Sequence, residues 1–178
     1  VQTEGAAIDV SDACSILASW DRRQDLDSKG AQVYTEFWRQ ARSIEGMYAV
    51  PFDLADPVNT PRGIKKSDRK VRKQVMESLA TAVRTLQGGG VPLEAPWGEV
   101  QFVVRNGNRI GIPGGLGDIG MFSNVSAPFR KGEGYTPVLH GNSYIQVVTW
   151  DDAGNPDARA ILTYSQSPEP ESPHYADQ

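Results

Sequence analysis

Few residues of this chain combine the type and spacing that chemistry requires. His140 and His174 are the only histidines and Cys14 the only cysteine. A metal held by one chain needs clustered ligands, such as two histidines one helical turn apart. Neither histidine has such a neighbour, and no metal site is expected. Ser143, His140 and Asp151 could be written as nucleophile, base and orienting acid. The G-x-S-x-G elbow that presents such a serine is absent, so they are not read as a triad. Gly115-Leu116-Gly117-Asp118-Ile119-Gly120 matches G-x-G-x-x-G. A dinucleotide site needs a strand before that run and a helix behind it, whose free N–H groups receive the pyrophosphate. Met121-Phe122-Ser123-Asn124 and then Pro128 give no such helix. The run reads as a loop lying against other backbone, and no cofactor is expected.

Other polar runs are weaker still. Asp151-Asp152-Ala153-Gly154-Asn155 resembles a calcium loop in composition but lacks its ligand spacing, and reads as a hairpin turn. Asn124-Val125-Ser126 fits a glycosylation sequon, which matters only in a eukaryotic secretory setting. Cys14, on a short apolar helix, is expected to be a small buried hydrophobe. Arg62, Lys65, Lys66, Arg69, Lys70, Arg72 and Lys73 form a basic run. Such a run can bind phosphates, but no aromatic platform interleaves with it. With 22 acidic against 18 basic residues in the whole chain, a solvated helix start is the better reading and no nucleic-acid partner is expected.

The elements that must carry these residues follow from periodicity. Ala13–Trp20 places Ile16, Leu17 and Trp20 near one face, with Ser11 or Asp12 as cap. Ser28 opens a second helix from Lys29 to about Ile44, with Val33, Phe37, Trp38 and Ala41 as its apolar side. Tyr48–Lys66, with Pro51, Pro57 and Pro61, reads as a connection. Ser67–Gln87 is the clearest helix, striped by Val71, Val75, Leu79, Val83 and Leu86 and ended by Gly88-Gly89-Gly90. Strands follow: Glu99–Arg105 and Arg109–Ile112 around Asn106-Gly107, a turn that needs positive φ twice. Ser143–Trp150 and Ala158–Ser165 surround a turn at Asp151–Pro156. Apolar groups on both faces of this second hairpin predict a sheet covered on both sides. Gly111–Gly141 and the Pro-rich tail Ser167–Gln178 show no clear element. Such long unstructured stretches are uncommon in a self-contained domain and point to surfaces supplied from elsewhere.

At 178 residues the chain suits one domain, or a large piece of a bigger one. No stretch approaches the roughly 20 apolar residues of a membrane helix, and no membrane partner is expected. One cysteine excludes an internal disulfide framework. Val1 is not an initiator Met, and the chain is expected to have been cut from a longer one.

Three stretches together carry a resemblance. The first runs from Asp9-Val10 through Ala13-Cys14, Leu17-Ala18 and Trp20-Asp21. It continues with Asp25-Leu26-Asp27-Ser28 and Gly30-Ala31 to Phe37-Trp38. The second is Ile112-Pro113-Gly114-Gly115 with Gly117-Asp118. The third is His140-Gly141-Asn142-Ser143-Tyr144-Ile145-Gln146-Val147-Val148, then Leu162-Thr163-Tyr164-Ser165-Gln166-Ser167 and Ser172-Pro173-His174-Tyr175-Ala176-Asp177-Gln178. Their order resembles the C-terminal part of the β-chain of the penicillin acylase family. The branch it looks most like is the acyl-homoserine lactone acylases and related lipopeptide acylases.

The resemblance implies an α/β chain that is a fragment of the four-layer αββα sandwich of N-terminal-nucleophile hydrolases. Residues 1–178 would be a single incomplete segment, mainly helical over 1–90 and mainly strands and long loops over 91–178. It implies an exported, periplasmic or secreted parent that cuts itself into α- and β-chains. That parent would hydrolyse the amide of acyl-homoserine lactones or similar fatty-acyl amides. β-Lactam or lipopeptide deacylation is the alternative, and a non-catalytic interaction module is a further one. In this family the nucleophile begins the β-chain, and Val1 has no nucleophilic side chain. The nucleophile, oxyanion Asn and Arg lie upstream of the matched region. No catalytic, cofactor or metal role is therefore carried onto this chain, and neither Asn142 nor Arg159 is promoted to one. The fragment is expected to be inactive alone, with the remaining acylase α- and β-chain parts as partners.

Overall fold

The structure, a computed structural model, describes residues 1–3, 6–162 and 164–177. Thr163 and Gln178, which belong to the expected second hairpin and tail, lie outside the described residues. The chain forms two compact units. One comprises Val1–Arg22 with Lys29–Ala95, the other Arg23–Ser28 with Pro96–Gln178.

The first unit contains the antiparallel pair β1 (Gln2–Thr3) and β2 (Ala6–Ala7), then α1 (Ser11–Ser19) and α2 (Ala31–Ala41). A short hairpin of β3 (Tyr48–Val50) and β4 (Arg62–Ile64) and the long helix α3 (Arg69–Gly88) complete it. Helix α3 packs on α2. Its expected stripe is the buried one: Val71, Leu79, Ala82, Val83 and Leu86 are covered, and Val75 is half-buried. Each large side chain so covered contributes about 1.5–3 kcal/mol. Ala41, Met47 and Val71 form one buried cluster, flanked by Phe37, Trp38 and Tyr48.

Several boundaries differ from those expected, each for a local reason. Helix α3 starts at Arg69 because Asp68 Oδ1 accepts from the backbone N–H groups of Lys70 (2.8 Å) and Val71 (3.2 Å). That carboxylate also offsets the unfavourable placement of cations in the first turn. Helix α1 has no side-chain cap. Ser11 instead donates both its N–H and its hydroxyl to Asp9 Oδ1, at 2.9 and 2.7 Å, which lowers the Asp9 carboxyl below its ordinary value. Helix α2 starts at Ala31, not Lys29, because Ser28 is engaged otherwise: its hydroxyl accepts from Asp25 N–H and its carbonyl from Trp97 N–H. Cys14 is exposed, contrary to expectation. The buried line of α1 runs through Ala13 and Ile16, and the next residue after Ala13 turns about 100° away from it. The ends of the Tyr48–Lys66 connection pair as strands, with Tyr48 opposite Ile64 and Val50 opposite Arg62.

Gln32 anchors the far end of this unit. Fully buried, its Nε2 lies 2.9–3.0 Å from the carbonyls of Pro92, Leu93 and Ala95. The chain leaving α3 is thereby held against α2.

The second unit is built of strands and turns. It contains α4 (Trp97–Val100), then β5 (Phe102–Arg105) and β6 (Asn108–Gly111). Asn106 and Gly107 take φ of 47° and 77°, the turn expected from the sequence. The helical turn α4 replaces the start of the expected strand. The stretch Gly111–Gly141 resolves into small pieces. Strand β7 (Val125–Ser126) pairs with β10 (His140–Gly141), and β8 (Phe129–Arg130) with β9 (Gly134–Tyr135). The second hairpin is β11 (Tyr144–Trp150) with β12 (Pro156–Leu162), in the register Tyr144–Leu162 to Trp150–Pro156. Among the described residues it has no third strand, and Tyr144, Val147, Trp150, Ile161 and Leu162 are exposed. The covered sheet expected from its two apolar faces is therefore not completed among the described residues.

The architecture is thus α/β, mixing helices with short antiparallel hairpins. No helix among the described residues is long and apolar enough to cross a membrane. Two substitutions test the polar anchors. Asp68→Ala is expected to lower the unfolding free energy by about 1 kcal/mol, with Asp68→Asn retaining most of it. Gln32→Ala leaves buried carbonyls without their donor, at a cost of about 1–3 kcal/mol. Shifts in the urea unfolding midpoint check both.

Candidate functional site

The glycine loop is positioned by three polar side chains and a strap. The strap is Arg23–Ser28. Its alternate carbonyls, Gln24, Leu26 and Ser28, accept from the N–H groups of Gly114 (2.8 Å), Gly98 (2.8 Å) and Trp97 (2.9 Å). The strap turns at Leu26-Asp27, where Ser28 N–H donates to the Asp25 carbonyl at 3.1 Å, and this turn leaves the Gln24, Leu26 and Ser28 carbonyls for donors from elsewhere in the unit. The Gly114 carbonyl accepts from Trp97 Nε1 and Gln101 Nε2, both at 2.9 Å. Gln101 Nε2 also reaches the Ile112 carbonyl at 2.8 Å. Trp97 and Gln101 are buried, and the Trp97 ring lies 5.1 Å from that of buried Tyr135.

Only glycine fits at the centre of this network. A Cβ on Gly114, whose φ is 90°, would fall on the Ser123 carbonyl oxygen, and one on Gly115 would fall on Gln24 Oε1. Gly115 donates to the Ser123 carbonyl (3.0 Å) and its own carbonyl accepts from Val125 (2.7 Å). Within the run Ile119 N–H donates to the Leu116 carbonyl and Gly120 N–H to that of Gly117, and a three-residue 3-10 turn, Gly117–Ile119, takes the place of a helix. The G-x-G-x-x-G run is therefore a close backbone crossing without the helix that a dinucleotide site requires.

Beside this loop lies a recess of about 430 Å³, lined chiefly by Ile112, Pro113, Val125, Ile145, Ile161 and Tyr164. Asn142 borders it, but its amide is committed: its Nδ2 donates to the Phe122 carbonyl and its N–H to that of Asn124, both at 3.1 Å. Asn142 therefore holds the loop.

The histidines are placed apart from any nucleophile–base arrangement. No hydrogen bond joins His140, Ser143 and Asp151. The Asp151 carboxylate instead accepts from Ala153 N–H, Asn155 N–H and Asn155 Nδ2 at 2.8–2.9 Å. Those bonds, led by the Asn155 side chain, lower its carboxyl below the ordinary value. It is the expected turn clip. His174 Nδ1 lies 2.8 Å from Asp177 Oδ2 in the tail. Asn106 Nδ2 donates to the Pro170 carbonyl at 2.7 Å, and the Arg105 guanidinium sits 5.6 and 5.8 Å from the Tyr164 and Tyr175 rings. The Ser-Pro-His-Tyr tail is thus pinned to the first hairpin of this unit. Arg159 is exposed and 3.9 Å from Asp157. Among the described residues no three His, Cys, Asp or Glu side chains converge where a metal ion could sit.

What the second unit builds is a rigid scaffold with an open apolar recess and an exposed hairpin. A comparison with known families places it: the model for penicillin amidase matches residues 2–178. The chain belongs to the penicillin amidase family. It is 37% identical over 177 residues to aculeacin-A acylase from Actinoplanes utahensis, covering 99% of this chain and 21% of that protein. It is 34% identical over 177 residues to the acyl-homoserine lactone acylase PvdQ of Pseudomonas putida, covering 98% and 22%. The PvdQ acylase of Pseudomonas syringae pv. syringae is 33% identical over 166 residues, covering 93% and 21%. The chain thus spans about a fifth of the length of the curated relatives it matches.

Within this penicillin amidase segment, sequence reasoning missed Gln24, Trp97 and Gln101. One signal was available: Gln101 interrupts the apolar run Val100–Val104, and a polar residue there must find partners once buried. Three measurements probe the scaffold. Gly115→Ala displaces Gln24 and is expected to cost about 1–3 kcal/mol of stability, read by thermal or urea unfolding. Gln101→Leu takes the amide donor from the Ile112 carbonyl and leaves Gly114 with Trp97 Nε1 alone, at a similar cost of about 1–3 kcal/mol. The Asp151 carboxyl should titrate below 3.8 by NMR, the turn staying closed above that pH and opening as pH falls through the lowered value. Asn155→Ala should move that titration back up.

Proposed function

We propose that this chain is the C-terminal part of the β-chain of an N-terminal-nucleophile amidohydrolase, one that hydrolyses acyl-homoserine lactones or similar fatty-acyl amides. The observation that carries this reading is the family match over almost the whole chain, joined to several relatives that bear the name acyl-homoserine lactone acylase. In such an enzyme the first residue of the β-chain attacks the amide carbonyl, and its own α-amino group takes the hydroxyl proton, so one residue serves as nucleophile and base. Backbone N–H groups and an Asn side chain hold the tetrahedral oxyanion, and water then releases the acid. None of these groups is assigned to residues of this chain.

Its part is support. The hairpins contribute strands to a four-layer αββα sandwich, and the helices of the first unit cover an outer face. The exposed residues of β11 and β12 favour this: Val147, Trp150, Ile161 and Leu162 suit a sheet layer that the rest of the α- and β-chains would cover. The parent is periplasmic or secreted, and the chain alone is inactive. The 37% identity to aculeacin-A acylase favours a second reading, lipopeptide deacylation, by the same chemistry.

Full-length parent protein, incubated with N-acyl-homoserine lactones of graded chain length and separately with an acylated cyclic peptide, is expected to release free fatty acid detectable by mass spectrometry. The substrate turned over with the higher kcat/KM decides between the two readings. The 178-residue chain alone is expected to release none; turnover by it would place the nucleophile here and overturn the supporting role.

A further inference from the structure

The eleven residues between β3 and β4 form a loop that is braced by its own polar groups and exposes large apolar side chains. In an ordinary surface loop polar side chains face water and apolar ones turn inward. Here the polar side chains stay largely exposed but bond within the loop, and the apolar ones are in water too. Asp53 N–H donates to Thr60 Oγ1 at 2.8 Å, and the Thr60 hydroxyl lies 2.6 Å from the Asp56 carbonyl. Asp53 Oδ1 accepts from Ala55 N–H at 2.9 Å, and Asp56 Oδ1 from Asn59 Nδ2 at 2.8 Å. Meanwhile Phe52, Leu54 and Val58 are 60%, 84% and 91% exposed. The loop is internally braced, so little conformational freedom is left to lose when its apolar side is covered.

We propose that residues 51–61 are a docking arm whose Phe52, Leu54 and Val58 seat in an apolar groove on the remainder of the parent protein. This rests on the reading of the chain as one part of a longer acylase. The occupant is chosen on two grounds. The chain spans only 21–22% of the length of its relatives, so most of the surface of such a protein is formed by other residues. The arm also carries Asp53 and Asp56 beside its apolar tips, while Arg62, Lys65 and Lys66 lie at and beyond its root. Carboxylates at the tip are repelled by an anionic bilayer, which wants cations there.

Hydrogen exchange on the full-length parent tests this. Among the described residues the Leu54 and Val58 amides have no hydrogen-bond partner. A seated arm should slow their exchange at least tenfold below unprotected rates, at every protein concentration. The double variant Leu54→Asp with Val58→Asp should restore fast exchange and lower the Tm by several degrees, while Val58→Ile should not. Exchange at unprotected rates in the wild-type parent overturns the proposal, and needs no variant to fold. Protection that appears only on adding vesicles of phosphatidylglycerol and phosphatidylcholine, or only at high protein concentration, also overturns it, in favour of a lipid surface or a second copy. Acyl-amide hydrolysis is measured on the same samples. An active parent with an open arm sinks the arm alone, and an inactive parent with a protected arm sinks the acylase reading alone.

Discussion

Both hydrogen-bonding groups of Gly114 are buried, and the second unit is arranged around satisfying them. The N–H goes to Gln24 of the strap, and the carbonyl takes one bond from an indole and one from a side-chain amide. A buried peptide group without partners costs free energy comparable to a lost hydrogen bond, so each supplier is fixed in place by the need. Trp97 must stand at the head of α4, Gln101 must follow it by one helical turn, and the strap must run alongside. The aromatic contact between Trp97 and Tyr135 then carries that order outward to β8 and β9. Removing the Cβ at 114 and 115 is what makes this density possible.

The sequence was most readable where one local rule dominated. The stripe of α3 and the Asn106-Gly107 turn follow from a few neighbouring residues, and both lie where periodicity and turn chemistry put them. Readability failed where a distant partner decided. Ser28 looks like a helix cap but is used by Asp25 and Trp97. Tyr48–Val50 and Arg62–Ile64 are too short to show alternation, and they pair only because the intervening loop closes on itself. Cys14 was assigned by residue type, whereas the helix face is set by Ala13 and Ile16. The loop reading of Gly115–Gly120 came from the missing helix, but the residues it packs against, Gln24 above all, are about 90 positions away. No local pattern announces such a partner.

The two units divide the work differently. The first resembles an ordinary helical layer, closed by α2 on α3 and locked by Gln32. The second is less closed: its own core of Val103, Ile110, Ile112 and Val125 is small, and much of its apolar surface lies on a hairpin that pairs with no third strand among the described residues. Its polar network is finished internally while much of its apolar surface stays exposed.

The strap has a consequence for how such a chain assembles. Residues 24–28 bond to residues 97–114, a separation of about 70 to 90 positions, so the second unit has one piece from early in the chain. Closing so long a loop carries an entropic cost, part of which is met once Gln32 has bonded to Pro92, Leu93 and Ala95. During synthesis, residues 24–28 therefore emerge well before the residues they must join. Until Trp97 arrives, the early piece has its carbonyls open to water. Completion of this unit is timed by the later segment, and a ribosome-bound chain ending near residue 95 would hold one half of a joint whose other half had not been made.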